Sequence, residues 1–154
     1  MKKDAISYFF ILTYVGIVNL AAAASSVNLI QFESAEIEIA NQRFNVEIAR
    51  SYRQRLQGLM FREDLPQQKA MLFLYPFKGD HRIWMKNTLI PLTVVWLDSN
   101  AIVLAVKQLT PCQQDPCSNF GANSASHYVL ELPAGFSELK VGDRVPDILK
   151  LVAQ

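Results

Sequence analysis

The sequence predicts an α+β fold, mainly antiparallel β: a small sheet or partly open barrel with one packed helix and a disulfide-bearing loop. Three observations carry this. Two runs near the start alternate strictly between apolar and polar residues. One capped segment changes to helical spacing. After it, short apolar runs follow one another, parted by turn residues.

The first element is the hairpin. Ala35-Glu36-Ile37-Glu38-Ile39 and Phe44-Asn45-Val46-Glu47-Ile48 alternate, with Asn41-Gln42 between them. Alternation of this kind gives a strand pair one buried and one wet face. Ser51 then opens the helix. Ser51-x-x-Gln54 is a capping box, in which the hydroxyl accepts a free N–H and the Gln side chain reaches back. Tyr52, Leu56, Leu59 and Met60 fall on one apolar stripe, flanked on one side by Arg55 and Arg62. Gly58 weakens that helix, marks its end, or permits a close approach. The helix is expected to stop before Pro66.

Residues 70–75 form the next candidate strand, and residues 83–88 are mixed. Residues 93–97 and 101–106 are apolar on both faces, and Asp98-Ser99-Asn100 makes them a second hairpin. Residues 109–126 form a polar loop holding both cysteines. Residues 127–132 read as a strand broken by Pro133-Ala134-Gly135, with a helical turn expected over 136–140. No internal repeat is present.

Composition narrows the function classes. The 154 residues are 51% hydrophobic and 19% charged, with 15 basic and 14 acidic residues. A disordered chain would be less apolar, and a nucleic-acid binder held by electrostatics would carry a basic excess. A second full domain has little room.

Part of the apolar excess is an address. Lys2 and Lys3 precede an uncharged stretch over residues 5–32, and Ala21-Ala22-Ala23-Ala24 closes its apolar part. A basic start, an apolar middle and a small-residue end define a secretory signal. The expected organisation is a signal peptide over 1–24, cut after Ala24 or one residue earlier, and one mature β-rich domain over 25–154. The alternative is an uncleaved anchor, since twenty residues is about a bilayer span. Cleavage leaves 13 basic and 13 acidic residues, a neutral domain in the periplasm or outside the cell.

Cys112 and Cys117 stand in two Pro-Cys dipeptides. In an exported protein the first expectation is a disulfide that stiffens a long loop. Redox and metal readings remain as alternatives; the metal reading would need His127 and a fourth ligand. With His81 and His127 the only histidines, a His-rich metal site is excluded. No catalytic motif or phosphate-binding loop occurs, and no cofactor is called for. His81, in a polar turn, reads as solvated. His127 and Glu131 share a strand face about 13 Å apart, too far to form an acid–base pair.

Trp84-Met85-Lys86-Asn87-Thr88 packs an aromatic, a cation, an amide and a hydroxyl into five residues. On a strand, Trp84, Lys86 and Thr88 share one face and suit a sugar, peptide or carboxylate ligand. The plainer reading puts Trp84 in the core and Asn87-Thr88 in a turn. Arg55 and Arg62 supply carboxylate-binding forks, or lie on an ordinary solvated helix edge, or form an ion pair with Glu131 or Asp143.

The ordered segments Arg55-Leu56-Gln57-Gly58-Leu59-Met60-Phe61-Arg62, Ala70-Met71-Leu72-Phe73, Trp84-Met85-Lys86-Asn87-Thr88, Ile90-Pro91-Leu92, the paired Pro-Cys dipeptides, Tyr128-Val129-Leu130-Glu131-Leu132-Pro133-Ala134-Gly135 and Gly142-Asp143 together resemble one family. The chain is similar, over roughly residues 46–145, to the domain-of-unknown-function family 192, small bacterial and archaeal proteins that often carry a signal peptide. The resemblance implies the fold and export and supplies no activity. Two positions depart from the family pattern: Thr93 stands where Asp is usual, and Ala70 where Gly is usual.

The leading expectation is therefore an exported β domain that binds a small molecule or peptide through Arg55, Arg62, Trp84, Lys86, Asn87, Thr88 and Glu131. It has no nucleic-acid partner, and membrane contact only through the signal segment. The alternatives are an envelope hydrolase using Glu131 or Asp143, and a structural module that contacts another envelope protein.

Overall fold

The structure, a computed structural model, describes residues 30–153. The expected signal segment lies outside them. Eight strands and two short helices follow in the order β1 (Glu33–Ile39), β2 (Gln42–Ala49), α1 (Tyr52–Gln57), β3 (Lys69–Gly79), β4 (Ile83–Trp84), β5 (Leu92–Leu97), β6 (Val103–Leu109), β7 (Asn119–Phe120), β8 (Ser126–Pro133) and α2 (Asp147–Val152). Six strands form one open sheet in the order β1-β2-β3-β8-β5-β6, and β4 pairs with β7 apart from it. All pairings are antiparallel except β2 with β3. A parallel pair needs a crossover, and α1 lies on that connection.

The strict alternation of the first hairpin becomes β1 and β2, in register from Glu33↔Ile48 to Ile39↔Gln42. The turn is Ala40-Asn41, one residue earlier than the sequence suggests, and both residues have positive φ (49° and 62°). Paired positive φ values match the right-handed twist of the flanking strands.

The central strands do not alternate because both their faces are covered. Leu72, Leu74, Val95, Leu97, Leu130 and Leu132 enter one core with Ile148 and Leu151 of α2. Met71, Phe73, Val94, Trp96 and Val129 enter a second core on the opposite face with Leu59 and Met85. Trp96 is wholly buried there, and its indole N–H donates to the His81 carbonyl at 2.7 Å. That bond fixes the loop between β3 and β4 to the sheet.

Ser51 caps α1 as expected: its hydroxyl accepts from Gln54 N, and the Gln54 carboxamide accepts from Ser51 N. The helix is shorter than the apolar spacing predicts. It ends at Gln57, and turns carry the chain on to residue 61. Gly58 ends it with φ +47°, and a Cβ there would stand 3.2 Å from Phe73 Cζ. The close approach and the left-handed backbone together require glycine.

Three further segments take the form that their surroundings set. The extended segment at 83–88 ends at Trp84, because Asn87 takes φ 57° in a turn in which Thr88 N–H donates to the Met85 carbonyl. No helical turn forms over 136–140; Gly135, with φ 82°, turns the chain and Phe136 drops into the core. The last apolar stretch is helical, because Ile148 and Leu151 cover the sheet while Asp147 and Lys150 pair on its outer side.

Asp98 closes the β5–β6 turn, its Oδ1 accepting from the N–H groups of Asn100 and Ile102. Cys112 and Cys117 are bonded, with Cα atoms 5.7 Å apart. The ring closed is small, so the chain-entropy account gives about 2 kcal/mol. Replacing both cysteines by Ser is expected to lower the unfolding free energy by about that much in urea titration, and to remove any effect of reductant. Equal midpoints for the two proteins would refute it. Among the described residues no helix is long and apolar enough to cross a membrane.

Candidate functional site

A cleft of about 480 Å³ opens on the sheet face that carries Phe73 and Glu131. Three parts of the chain build it. Glu131 comes from β8, a central strand, where it faces Met71 of β3 on one side and Val94 of β5 on the other. It follows the same period as Val129 and so points to the second core rather than the first. One wall is α1 with the turn after it, including Arg55, Leu56 and Met60. The other wall is Tyr75, Pro76, Phe77 and Lys78 with His81 and Trp84.

The second wall exists because β3 bulges. Leu74 pairs with Tyr128 and Gly79 with Ser126, so the four residues 75–78 of β3 stand against a single residue of β8. Pro76 cannot donate to a ladder, which suits it to a bulge. The extra residues lift Phe77 outward, where it is 78% exposed.

The first wall exists because α1 is short. Tyr52 and Leu56, half of the stripe that the sequence assigns to the core, are 72% and 51% exposed and face the cleft. Only Leu59, beyond the helix end, reaches the core.

Aromatic contacts tie the walls together. The rings of Tyr75 and His81 stack at 3.5 Å with an interplanar angle of 9°. The Arg55 guanidinium lies over Tyr75, 5.1 Å from its centroid. The bonds of Arg55 leave from Nη1, to the Leu74 carbonyl at 3.0 Å and to the Arg50 carbonyl. His81 Nε2 lies 2.9 Å from the Phe77 carbonyl, which can only accept, so that nitrogen carries a proton. His81 is thus a stacked wall residue, not a solvated turn residue.

Glu131 is buried, and its Oε2 has no hydrogen-bond partner. Burial pushes its carboxyl up to about 8, against the pull of the Arg62 charge. At neutral pH it is a carboxylic acid and can donate as well as accept. Burial and the nearby Glu131 push the Tyr75 hydroxyl up to about 12, with Arg55 acting the other way. Burial holds the His81 imidazole below its ordinary value, helped by His127 and Arg55 and opposed by the Phe77 carbonyl and Asp80.

The seven residues singled out from the sequence divide. Arg55, Trp84, Thr88 and Glu131 line the cleft. Trp84 stands at its rim, 40% exposed, and so is outside the core. Arg62 turns away to pair with Glu47 and lies 5.9 Å from the Phe32 ring. Lys86 is held by Asp115 at 3.1 Å and reaches the cleft only through the Trp84 ring, 6.0 Å away. Asn87 serves the turn, its carbonyl accepting from Phe61 N–H at 2.8 Å. Asp143 lies in another part of the molecule, its carboxylate accepting from Lys140 N–H, so it shares no cleft with Glu131.

Sequence reasoning did not pick out Tyr75, Phe77, Lys78 or the cleft-facing role of Tyr52 and Leu56. Pro76 inside an otherwise strand-like run was the available signal. Thr93, where Asp is usual in similar sequences, lies on the opposite sheet face, bonded to the Gln108 side chain at 2.9 Å. The departure therefore does not touch the cleft. Among the described residues, Cys112, Asp115 and Cys117 are spaced to hold a metal, but both sulfurs are taken up by the disulfide.

Two solved structures share this fold. A protein from Sinorhizobium meliloti, provisionally described as a transcription regulator, is 26% identical, with a TM-score of 0.66 over 75% of this chain and 95% of that one. A protein of unknown function from Novosphingobium aromaticivorans is also 26% identical, with a TM-score of 0.64 over 77% of this chain and 87% of that one. No curated protein matches. The profile of domain-of-unknown-function family 192, described as an uncharacterized ACR, matches residues 35–146, and the chain belongs to that family.

Proposed function

We propose that this protein is an exported binding domain that takes a small molecule, or the end of a peptide, in the cleft above Glu131. The observation that carries the reading is the pairing of opposites in one concavity. Tyr52, Leu56, Phe77 and Trp84 expose apolar surface around a buried carboxyl that lacks a partner. A mostly apolar pocket with a few convergent polar groups is the usual form of a small-molecule site. Apolar residues gathered at one opening mark a surface that something covers. The disulfide and the basic-apolar-small segment at 1–24 support export.

Thermal-shift screening of the purified protein against sugars, organic acids, amines and short peptides tests the binding reading, because a ligand of the folded state raises its apparent stability. The expected hits lose their shift in both Leu56→Asp and Trp84→Ala. Hits that persist in both variants would place binding elsewhere, and a screen without hits would end the reading. N-terminal sequencing of the protein from the cell exterior or periplasm is expected to begin at Ser25.

A further inference from the structure

The cleft has a sign. Among the described residues, Glu131 is the only carboxyl that lines it, whereas Arg55, Lys78 and Arg82 line it as cations. Arg82 is answered by Asp80 at 3.2 Å. Arg55 has no carboxylate within ion-pair distance among the described residues, and its Nε and Nη2 make no bond there. Its place is set by two backbone carbonyls and the Tyr75 ring. It is a positioned guanidinium with donors to spare.

Glu131 adds the complementary half. A buried acid with an unpartnered oxygen, facing a site rich in cations, can donate into an anion and has no anion of its own to meet it. A cationic ligand would meet Arg55 and Lys78 first. Tyr52, Leu56, Phe77 and Trp84 supply the apolar walls. We infer that the ligand is an amphipathic carboxylate, its anionic head taken by Arg55 and the Glu131 acid and its apolar body lying along the two walls. The inference rests on the cleft being a binding site, and it adds the ligand's charge and shape. Such a carboxylate could belong to a free organic acid or to the C-terminus of a peptide with an apolar last residue.

Titration separates this ligand from its opposites. The other charged and titratable groups around Glu131 are Tyr52 and Arg55 on α1, Arg62 beyond it, Tyr75 and Lys78 on β3, His81 and Arg82 on the next loop, and His127 on its own strand; β5 contributes none. Loss of the Glu131 proton puts a negative charge where the carboxylate binds. Carboxylate binding must therefore weaken as pH rises through about 8, whereas binding of an amine must strengthen.

Calorimetry of the purified protein with phenylbutyrate, phenylbutanol and phenylbutylamine compares one apolar body under three head groups. The acid is expected to bind at least roughly tenfold more tightly than the alcohol at pH 6.5, with the amine weakest. Above about pH 8 the acid's affinity is expected to fall, by up to roughly tenfold per pH unit. Arg55→Gln should close the gap between acid and alcohol, and Glu131→Gln should remove the fall at high pH; urea titration checks that both remain folded. A peptide ending in Phe, as free acid and as amide, distinguishes the sources. A preference for the free peptide acid over phenylbutyrate assigns the carboxylate to a peptide terminus. Equal binding of acid, alcohol and amine, or preference for the amine, overturns the carboxylate while leaving the cleft a binding site. Failure of every probe and of the peptide overturns both.

Discussion

Glu131→Gln is expected to remove the largest pH-dependent part of this protein's stability. The sign follows from proton counting. In the unfolded chain the carboxyl has its ordinary value of 4.5; in the fold, burial raises it to about 8. Between these values the folded state holds a proton that the unfolded state has released. Stability is then fully present below pH 4.5 and falls as pH rises, until the folded protein also ionises near 8. At about 1.4 kcal/mol per pH unit, the whole interval costs on the order of 5 kcal/mol. A Gln of the same shape does not titrate, so its stability should change little over that range. Urea unfolding of both proteins at pH 5 and pH 8.5 reads the difference directly. Parallel profiles would show that Glu131 is not held as an acid, and would also weaken the carboxylate reading of the cleft.

The second large effect is expected at Trp96. This side chain lies wholly inside the core beneath the cleft, and its N–H satisfies the His81 carbonyl. Trp96→Ala removes the ring and leaves a cavity, at about 3–5 kcal/mol. Trp96→Phe keeps most of the apolar volume but strands the carbonyl, at about 1–3 kcal/mol. Denaturant titration gives both values, and the order Ala above Phe is part of the expectation. A loss below about 1 kcal/mol for Trp96→Ala would mean the core closes over the gap. His81 should respond as well, because the Trp96 bond holds the loop that stacks it on Tyr75. In Trp96→Phe its imidazole is expected to titrate nearer its ordinary value, as read by NMR of the ring protons.

The fold reads this way because most of its elements answer to local rules. The alternation of β1 and β2 needs only a pleat with one buried face. The Ser51 cap needs only its own residue and Gln54. The Asp98 turn closes on its own carboxylate. The doubly apolar runs of β5 and β8 show that both faces are covered, but not by what. The element that fails, the helical turn over 136–140, fails where tertiary contacts override local pattern, because Phe136 is drawn into the core against Phe44; Asn87 stands in a turn, as the plainer reading of the sequence has it, and Phe61 holds that turn.

The candidate site was half legible for the same reason. Arg55, Trp84, Thr88 and Glu131 are chemically conspicuous, and they do converge. Arg62 and Lys86 are equally conspicuous, but each found an acid outside the cleft, Glu47 and Asp115. Which cation meets a carboxylate depends on strands distant in sequence.

The sequence by itself determined the hairpin, the helix cap, the cysteine pair and the short apolar strands, because period, capping and turn chemistry act within a few residues. Tertiary structure alone decided that α1 stops at Gln57 and turns Tyr52 and Leu56 outward, that β3 bulges to raise Tyr75 and Phe77, and that Glu131 is sealed into a floor without a partner. Each depends on what packs from across the sheet. Removal of water by the surrounding chain is what raises the hold of this carboxyl on its proton.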